Sequence, residues 1–209
     1  MRFGIFSDVR SKDRELEVVL DRLVDCDLLF NLGDVVGYHG DVNRCIRLLD
    51  TPRTVNLLGD TDREVFAKSG PADAERPGDY GVSEANKEIM RGFRAMRKFK
   101  VKGRAYGFTH GHMVHEGDGP ASMDRAEYYN AIEMFHGMGC SRIFTGHSCV
   151  PRVLLMDRHA IIHEEELYET TRVDFDPECS YIIDVGSAAR RCYAVLHFDD
   201  DCVVIHYEK

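Results

Sequence analysis

Five short apolar segments of this chain each run directly into an aspartate or a histidine, and this pattern constrains the fold more than any other feature of the sequence. Short apolar segments bounded by turn residues predict buried strands. In an open α/β sheet, ligands bind at the carboxyl ends of the strands. We therefore expect the residues that follow these segments to converge. The segments are residues 3–7 before Asp8, 28–33 before Asp34, 55–59 before Asp60, 105–109 before His110, and 143–146 before His147.

Two amphipathic stretches separate the first three segments. Apolar residues recur in them at helical spacing, which predicts a β-α-β-α-β order. That order places the chain in the α/β class and favours a mostly parallel sheet with right-handed crossovers. The apolar positions are Leu16, Val19, Leu20 and Leu23 in the first stretch, and Val42, Cys45, Ile46 and Leu49 in the second.

The rest of the chain predicts further helices and a closing series of strands. We expect a helix over residues 83–99, because Ser83 could cap it and the apolar residues at 89, 93 and 96 share one face. The other predicted elements are a loop over 68–81, a helix over 123–138, strands over 153–156, 160–163, 181–185, 193–198 and 203–207, and an acidic insertion over 164–179.

Length and composition exclude several classes of protein. The 209 residues are expected to form a single domain, residues 1–209. A net charge of −9 argues against nucleic-acid binding, which usually needs a basic face. No apolar run approaches the roughly 18 residues that a membrane span needs. Seven scattered cysteines without a CxxC pair, and an N-terminus without a signal-peptide core, predict a cytoplasmic protein with reduced thiols. The sequence leaves the oligomeric state open.

The residues at the predicted strand ends combine carboxylates with imidazoles. Such mixed oxygen and nitrogen ligands suit a divalent transition metal such as Mn, Fe or Zn. An aspartate after a strand can instead cap the helix that follows it. Because five such residues in one arrangement are unlikely to be caps by coincidence, the metal interpretation is favoured over the capping interpretation.

The segment at 33–38, which reads GDVVGY, resembles the second sequence block of the calcineurin-like metallophosphoesterases, in their small bacterial and archaeal phosphodiesterase branch. That family has blocks DxH, GD, GNHD, a lone His before Gly, and GHxH, in this order. The resemblance implies an α/β sandwich of two mixed sheets flanked by helices. The matching blocks here are Asp8-Val9-Arg10, Gly33-Asp34, Gly59-Asp60-Thr61-Asp62, His110-Gly111, and Gly146-His147-Ser148-Cys149.

The resemblance implies two metal sites, of which this chain keeps one. The ligands carried over for that site are Asp34, Asp60, His110 and His147, so we expect about one divalent metal (Mn, Fe or Zn) per chain.

The other site retains Asp8 and shares Asp34, but Arg10 and Cys149 replace its two histidines. Arginine stays protonated in proteins and cannot ligate a cation. Cys149 could ligate as a thiolate or serve as a small buried residue.

The family's leaving-group histidine is also absent, since Thr61 takes its place beside Asp62. Positioned proton transfer typically contributes about 10²–10⁴ in rate. The candidate catalytic residues are therefore Arg10, which could supply positive charge, Asp62, and His112, which could orient the ligands or replace the acid. Arg190 is a candidate for binding the phosphate of the substrate.

These features predict a metal-dependent phosphoesterase acting on a small phosphorylated substrate, by phosphomonoester, phosphodiester or nucleotide hydrolysis. The alternative is a weak or inactive binding scaffold, because the block Asp60-Thr61-Asp62 also resembles that of the retromer subunit vacuolar protein sorting 29.

Overall fold

The computed structural model describes residues 1–66, 80–111 and 132–208. Two six-stranded mixed β-sheets form the α/β fold that the sequence predicted. Among the described residues, no helix is long and apolar enough to cross a membrane. The strands are β1 (Arg2–Phe6), β2 (Leu28–Asn31), β3 (Thr54–Asn56), β4 (Met96–Val101), β5 (Arg104–Thr109), β6 (Cys140–Thr145), β7 (Arg152–Met156), β8 (Ile162–Glu166), β9 (Thr171–Asp174), β10 (Ser180–Asp184), β11 (Cys192–His197) and β12 (Cys202–Tyr207). The helices are α1 (Asp13–Arg22), α2 (Val42–Leu49), α3 (Asp60–Glu64), α4 (Glu84–Met90), a helical segment over residues 132–137 and a 3₁₀ helix at Ala188–Arg190.

Each sheet contains a parallel core whose strands end on the same side of the molecule. The first sheet has the order β3-β2-β1-β11-β12-β9, in which β1, β2 and β3 are parallel. The second has the order β4-β5-β6-β10-β7-β8, in which β5, β6 and β10 are parallel. The predicted β-α-β-α-β order of the first 60 residues is confirmed.

Aromatic packing between the sheets brings their strand ends together. Phe30 on β2 stacks on Phe108 of β5, with ring centroids 3.9 Å apart. Phe108 in turn stacks on Phe144 of β6, at 5.4 Å. All three rings are buried in the layer between the sheets. Offset stacking in a buried core adds to the free energy gained from removing apolar area from water.

The outer face of the first sheet is covered by α1 and α2. The helix α1 buries Leu16 and Val19 there, and α2 begins at an Asp41 cap whose carboxylate accepts the Arg44 backbone N–H at 2.9 Å. Both helices therefore use the apolar faces that the spacing predicted.

The predicted helix over residues 83–99 is wrong in its second half. Ser83 caps α4 as expected, but the helix ends at Met90 and the chain enters β4. The β4 and β5 strands form a hairpin through Lys102 and Gly103, whose φ values of 49° and 84° suit a tight two-residue turn. The apolar residues at 89, 93 and 96 continue at helical spacing past the end of α4, so the spacing predicted a helix where the hairpin begins.

Other predicted elements are displaced or lie outside the described residues. The acidic insertion over 164–179 supplies the end of β8 and all of β9. Residues 132–137 are helical, as the prediction over 123–138 requires, whereas residues 123–131 of that prediction are outside the described ranges. Most of the predicted loop over 68–81 is also outside them.

Candidate metal centre

The residues at the carboxyl ends of the parallel strands lie together, as the sequence pattern predicts. Two groups have possible ligand atoms within 4.8 Å of one another. One group joins Asp60, His110 and His147, and the other joins Asp8, Asp34 and His110. The first group contains three of the four ligands expected for the retained metal site.

The backbone at the centre adopts conformations that side chains rarely take. Positive φ values occur at Asp8 (55°), Arg10 (53°), Asp34 (54°), His147 (77°) and Cys149 (60°). Left-handed conformations of non-glycine residues carry strain and cluster at functional sites. Because the strained residues coincide with the candidate ligands, the loops are held in position by contacts made elsewhere in the fold.

Two glycines allow these loops to approach one another closely. A Cβ atom at Gly59 would lie 2.1 Å from Asp34 Oδ1. A Cβ atom at Gly146 would lie 1.9 Å from Ser7 Oγ and 2.9 Å from Asp8 Oδ2. Both distances are shorter than van der Waals contact, so only glycine permits these approaches.

His110 presents its Nε2 atom to the centre. Its Nδ1 atom donates to the Leu32 carbonyl oxygen at 3.2 Å, which fixes the tautomer of the neutral ring. Nε2 then lies 3.4 Å from Asp34 Oδ2 and 3.9 Å from Asp60 Oδ2. Burial opposes protonation of His110, but the hydrogen bond and charge of Asp34 outweigh it and raise its pKa to about 9. A buried nitrogen that faces two carboxylates requires a cation, which is either a proton or a metal.

His147 and Asp60 complete the same cluster. His147 Nδ1 lies 2.9 Å from Asp60 Oδ2, and this contact raises the pKa of His147. The His147 backbone N–H donates to Asp8 Oδ2 at 2.9 Å. Two ligands at about 2.1 Å from one ion lie at most about 4.2 Å apart. The ligand separations around His110 and His147 fall within that limit, so these residues fit a divalent metal.

Arg10 lies between the two carboxylates of the other group. Its Nη2 atom is 2.9 Å from Asp8 Oδ1 and 2.7 Å from Asp34 Oδ2. Burial favours the neutral form of Arg10, but the charges of Asp34 and Asp8 outweigh it and raise the pKa of the guanidinium. Burial also disfavours the ionised form of Asp34, yet His110 and Arg10 together lower its pKa. Asp34 is therefore an ionised carboxylate shared by both halves of the centre.

Cys149 also lies in this second group. Its thiol donates to Asp8 Oδ1 at 3.4 Å and lies 3.9 Å from Arg10 Nη2. Burial, followed by the charge of Asp8, raises the pKa of Cys149 to about 12. A thiol with that pKa is protonated at neutral pH, so ligation by Cys149 would require a metal to displace this proton.

Thr61 and Asp62 hold the loops of the centre together. The Thr61 backbone N–H donates to Asp34 Oδ1 at 3.0 Å, and its hydroxyl lies at the same distance from that atom. Asp62 is fully buried and accepts the backbone N–H groups of Val36 and Gly59, both at 3.0 Å. Both of its oxygens are thus engaged with backbone. This geometry supports a positioning role for Asp62, and its catalytic role stays a prediction.

The structure does not bring the Arg190 side chain to the cluster. Arg190 is exposed on the 3₁₀ helix, and its guanidinium makes no ion pair with the described carboxylates of the centre. The contact with Asp8 comes instead from the backbone, where the Ala189 N–H donates to the Asp8 carbonyl at 3.2 Å. His112 lies outside the described residues.

Sequence reasoning missed Asp184, a buried carboxylate at the end of β10. Its Oδ2 atom accepts the Ser148 hydroxyl at 2.6 Å, and Oδ1 accepts the Gly186 N–H at 2.9 Å. Burial raises the pKa of Asp184 to about 7. The contact ties the strained loop between His147 and Cys149 to the second sheet. A lone carboxylate inside the apolar segment at 181–185 was the available signal.

Comparison with known proteins identifies the family. The sequence model for the calcineurin-like phosphoesterase superfamily domain matches residues 1–167. This chain belongs to the calcineurin-like phosphoesterase superfamily. An uncharacterised protein of Methanocaldococcus jannaschii is 23% identical over 200 residues, which cover 90% of this chain and 76% of that protein.

Solved structures share the calcineurin-like fold. A metallophosphoesterase from Sphaerobacter thermophilus aligns with a TM-score of 0.76 at 20% identity, covering 100% of this chain and 89% of that one. Vacuolar protein sorting 29 from Cryptosporidium parvum aligns with a TM-score of 0.53 at 11% identity, covering 100% of this chain and 91% of that one. The fold is therefore shared by a metallophosphoesterase and a vacuolar sorting protein, and the choice between functions rests on the centre itself.

Proposed function

We propose that this protein hydrolyses small phosphorylated substrates with one divalent metal held by Asp34, Asp60, His110 and His147. The short separations among these buried and half-buried ligands support the assignment. A divalent metal bound there would act as a Lewis acid toward a phosphoryl oxygen and lower the pKa of an attacking water. The mixture of carboxylates and imidazoles favours Mn, Fe or Zn.

The position of Arg10 carries the proposal. The ion pairs with Asp8 and Asp34 are made through the same nitrogen, Nη2, which leaves N–H groups on Nη1 and Nε for a substrate. The Arg10 side chain is 32% exposed, so solvent reaches it. In this proposal Arg10 donates to the phosphoryl oxygens and supplies the positive charge that a second metal supplies in the family's two-metal pattern.

A paired measurement of metal content and turnover tests the proposal. The purified protein is expected to contain about one divalent metal and to hydrolyse an aryl phosphomonoester or diester in the presence of Mn²⁺. Arg10→Gln should lower kcat/KM, because charge-assisted hydrogen bonds to phosphate are lost. Arg14→Gln, which changes an exposed arginine of α1, is the matched control. Equal turnover by both variants would contradict the role of Arg10, and a metal-free protein without turnover would contradict the enzyme.

A binding scaffold is the second candidate, and the orientation of Thr61 favours it. The hydroxyl lies 3.0 Å from Asp34 Oδ1 and 3.1 Å from the Val36 carbonyl oxygen, so it is engaged within the loops of the centre. It does not titrate near neutral pH and cannot serve as an acid for the leaving group. The absence of metal-dependent turnover for every substrate class would support this candidate.

We also propose a cytoplasmic location. All seven cysteines of the chain are free thiols. Six of them lie outside the centre, and four of these six are fully buried. Reduced cysteines are typical of proteins from a reducing compartment.

A further inference from the structure

Two tyrosines form an aromatic pair beside the candidate metal centre. The rings of Tyr38 and Tyr80 have centroids 4.7 Å apart and an interplanar angle of 42°. Tyr80 packs against the apolar core under α1 and α2, and its hydroxyl donates to the Glu64 carboxylate. Tyr38, by contrast, is 72% exposed. Tyr80 is thus the fixed member of the pair, and Tyr38 offers aromatic surface to solvent.

The loop that carries Tyr38 lies against Arg10. The Gly37 N–H donates to Ser11 Oγ at 2.8 Å, and a Cβ atom at Gly37 would lie 2.8 Å from the Arg10 Cα atom. Because adjacent Cα atoms are about 3.8 Å apart, the Cα atoms of Tyr38 and Arg10 lie within about 8 Å of each other.

Helix α3 links the pair to the metal ligands from the other side. The helix begins at Asp60 and ends at Glu64, the residue bonded to Tyr80. Four residues of helix rise by about 6 Å, so the backbone of Glu64, whose side chain bonds Tyr80, is about one helical turn from the candidate ligand Asp60. Arg10, which contacts this loop, and Asp60, which begins this helix, are both partly exposed, so the centre is open to solvent at these side chains.

From this arrangement we infer that Tyr38 and Tyr80 form a subsite for an aromatic ring joined through a sugar to the phosphate, as in a nucleotide. The inference rests on the proposed function, because the phosphate is assigned to Arg10 and the metal ligands. A base would stack on the exposed face of Tyr38, and aromatic stacking accepts any base because every base has a π-face. The selectivity would be for the ring and not for its substituents.

Binding measurements separate this subsite from the phosphate site. The probes are adenosine, adenosine 5′-monophosphate and ribose 5-phosphate, titrated by calorimetry without added metal. Tyrosine fluorescence gives a second readout, because the chain has no tryptophan. Adenosine 5′-monophosphate is expected to bind roughly 5- to 150-fold more tightly than ribose 5-phosphate, which is the range that stacking of one base provides.

Three variants test whether the difference in affinity between the two phosphates depends on the Tyr38 side chain. Tyr38→Ala should bring the two phosphates to equal affinity, whereas Tyr38→Phe should preserve the difference. Tyr168→Ala is the matched control. Tyr168 is 61% exposed, comparable to Tyr38, and its hydroxyl donates to Glu166 as the Tyr80 hydroxyl donates to Glu64. Equal affinity for both phosphates in the unmodified protein would overturn the inference, as would a loss in Tyr38→Ala that is the same for both.

The outcomes also distinguish this inference from the proposed hydrolysis. Adenosine binding that Tyr38→Ala abolishes, in a protein without turnover, would support the subsite and contradict the enzyme. Turnover with no preference for the aromatic ring would support the enzyme and overturn the subsite.

Discussion

The Nη2 atom of Arg10 lies 2.7 Å from Oδ2 of Asp34, so a fixed positive charge sits against the carboxylate that both halves of the centre share. His110 approaches the same oxygen at 3.4 Å from the other side. A cation built into the chain thus occupies one half of the centre, and the other half offers ligands to a metal.

Restoring the two histidines should restore a second metal site. In Arg10→His with Cys149→His, the guanidinium between Asp8 and Asp34 is gone and two imidazoles face the carboxylates. The metal content should rise from about one to about two per chain, as measured by elemental analysis. The control is Arg10→Gln with Cys149→Ser, which removes the charge without adding ligands. Unchanged metal content in the histidine variant would show that Arg10 does not replace a metal.

The activity of the same variant separates two roles for Arg10. If the absence of a second metal limits the rate, phosphodiester hydrolysis should rise. If Arg10 is the native phosphate clamp, hydrolysis should fall although the second metal binds. Our proposal expects the fall, and steady-state kinetics with added Mn²⁺ measures it.

Removal of different single ligands should reduce metal binding to different extents. Asp60→Ala and His147→Ala should each abolish metal binding, because both residues belong to the retained group. Asp8→Ala should weaken it little, since the Asp8 carboxylate is paired with Arg10. His163→Ala, an exposed histidine on β8, serves as the control in calorimetric titrations with Mn²⁺. Equal losses in the Asp8 and Asp60 variants would mean that the ligands are wrongly divided.

Thr61 should determine which leaving groups the protein tolerates. Without a positioned acid, activated aryl phosphates are expected to hydrolyse much faster than alkyl or nucleotide esters, because a poor leaving group must depart unprotonated. Thr61→His should narrow that gap by up to about 10²–10⁴. Thr61→Val removes the hydroxyl without adding an acid and should leave the gap unchanged. Robust alkyl-ester hydrolysis by the unmodified protein would point to another acid, for which His112 is the candidate.

The buried carboxyl of Asp184 should make stability depend on pH. Burial raises its pKa from the ordinary 3.8 to about 7, so the folded protein holds a proton that the unfolded chain releases. The free energy of unfolding should therefore fall as the pH rises from about 4 to about 7. Asp184→Asn keeps an oxygen for the Gly186 N–H and can donate to Ser148 Oγ, so it should fold and flatten this slope.

Chemical denaturation in EDTA across that pH range measures the effect. Asp199→Asn is the control, because the Asp199 carboxylate is 65% exposed and its pKa is lowered to about 2 by Lys102 and the N-terminus. The buried Asp62, whose pKa is raised to about 6 by burial and then by Asp34, should leave a smaller slope below pH 6 in the Asp184 variant. An unchanged slope between pH 6 and 7 in Asp184→Asn would refute the assignment.

Local patterns predicted most of the fold and which candidate ligands lie together. Apolar segments that end in Asp8, Asp34, Asp60, His110 and His147 are strands by composition, and parallel strands deliver their ends to one edge. Strand and helix faces depend on periodicity within a few residues, which is readable from the chain alone. Around Met96 the apolar residues fit both helical and strand spacing, and the predicted helix was therefore extended into the β4 strand.

The sequence by itself determined which metal-capable residues end the strands, and the tertiary structure decided which side chains they contact and how they face one another. These directions depend on contacts between residues 24 to 27 positions apart in the chain. They include the ion pair of Arg10 with Asp34 and the hydrogen bonds of Thr61 and Asp62 to neighbouring loops. Asp184 meets Ser148 across 36 positions, and Tyr38 meets Tyr80 through a loop that no periodicity describes. Side chains on strained loops take their directions from such distant packing and hydrogen bonds, which have no signature in the local sequence.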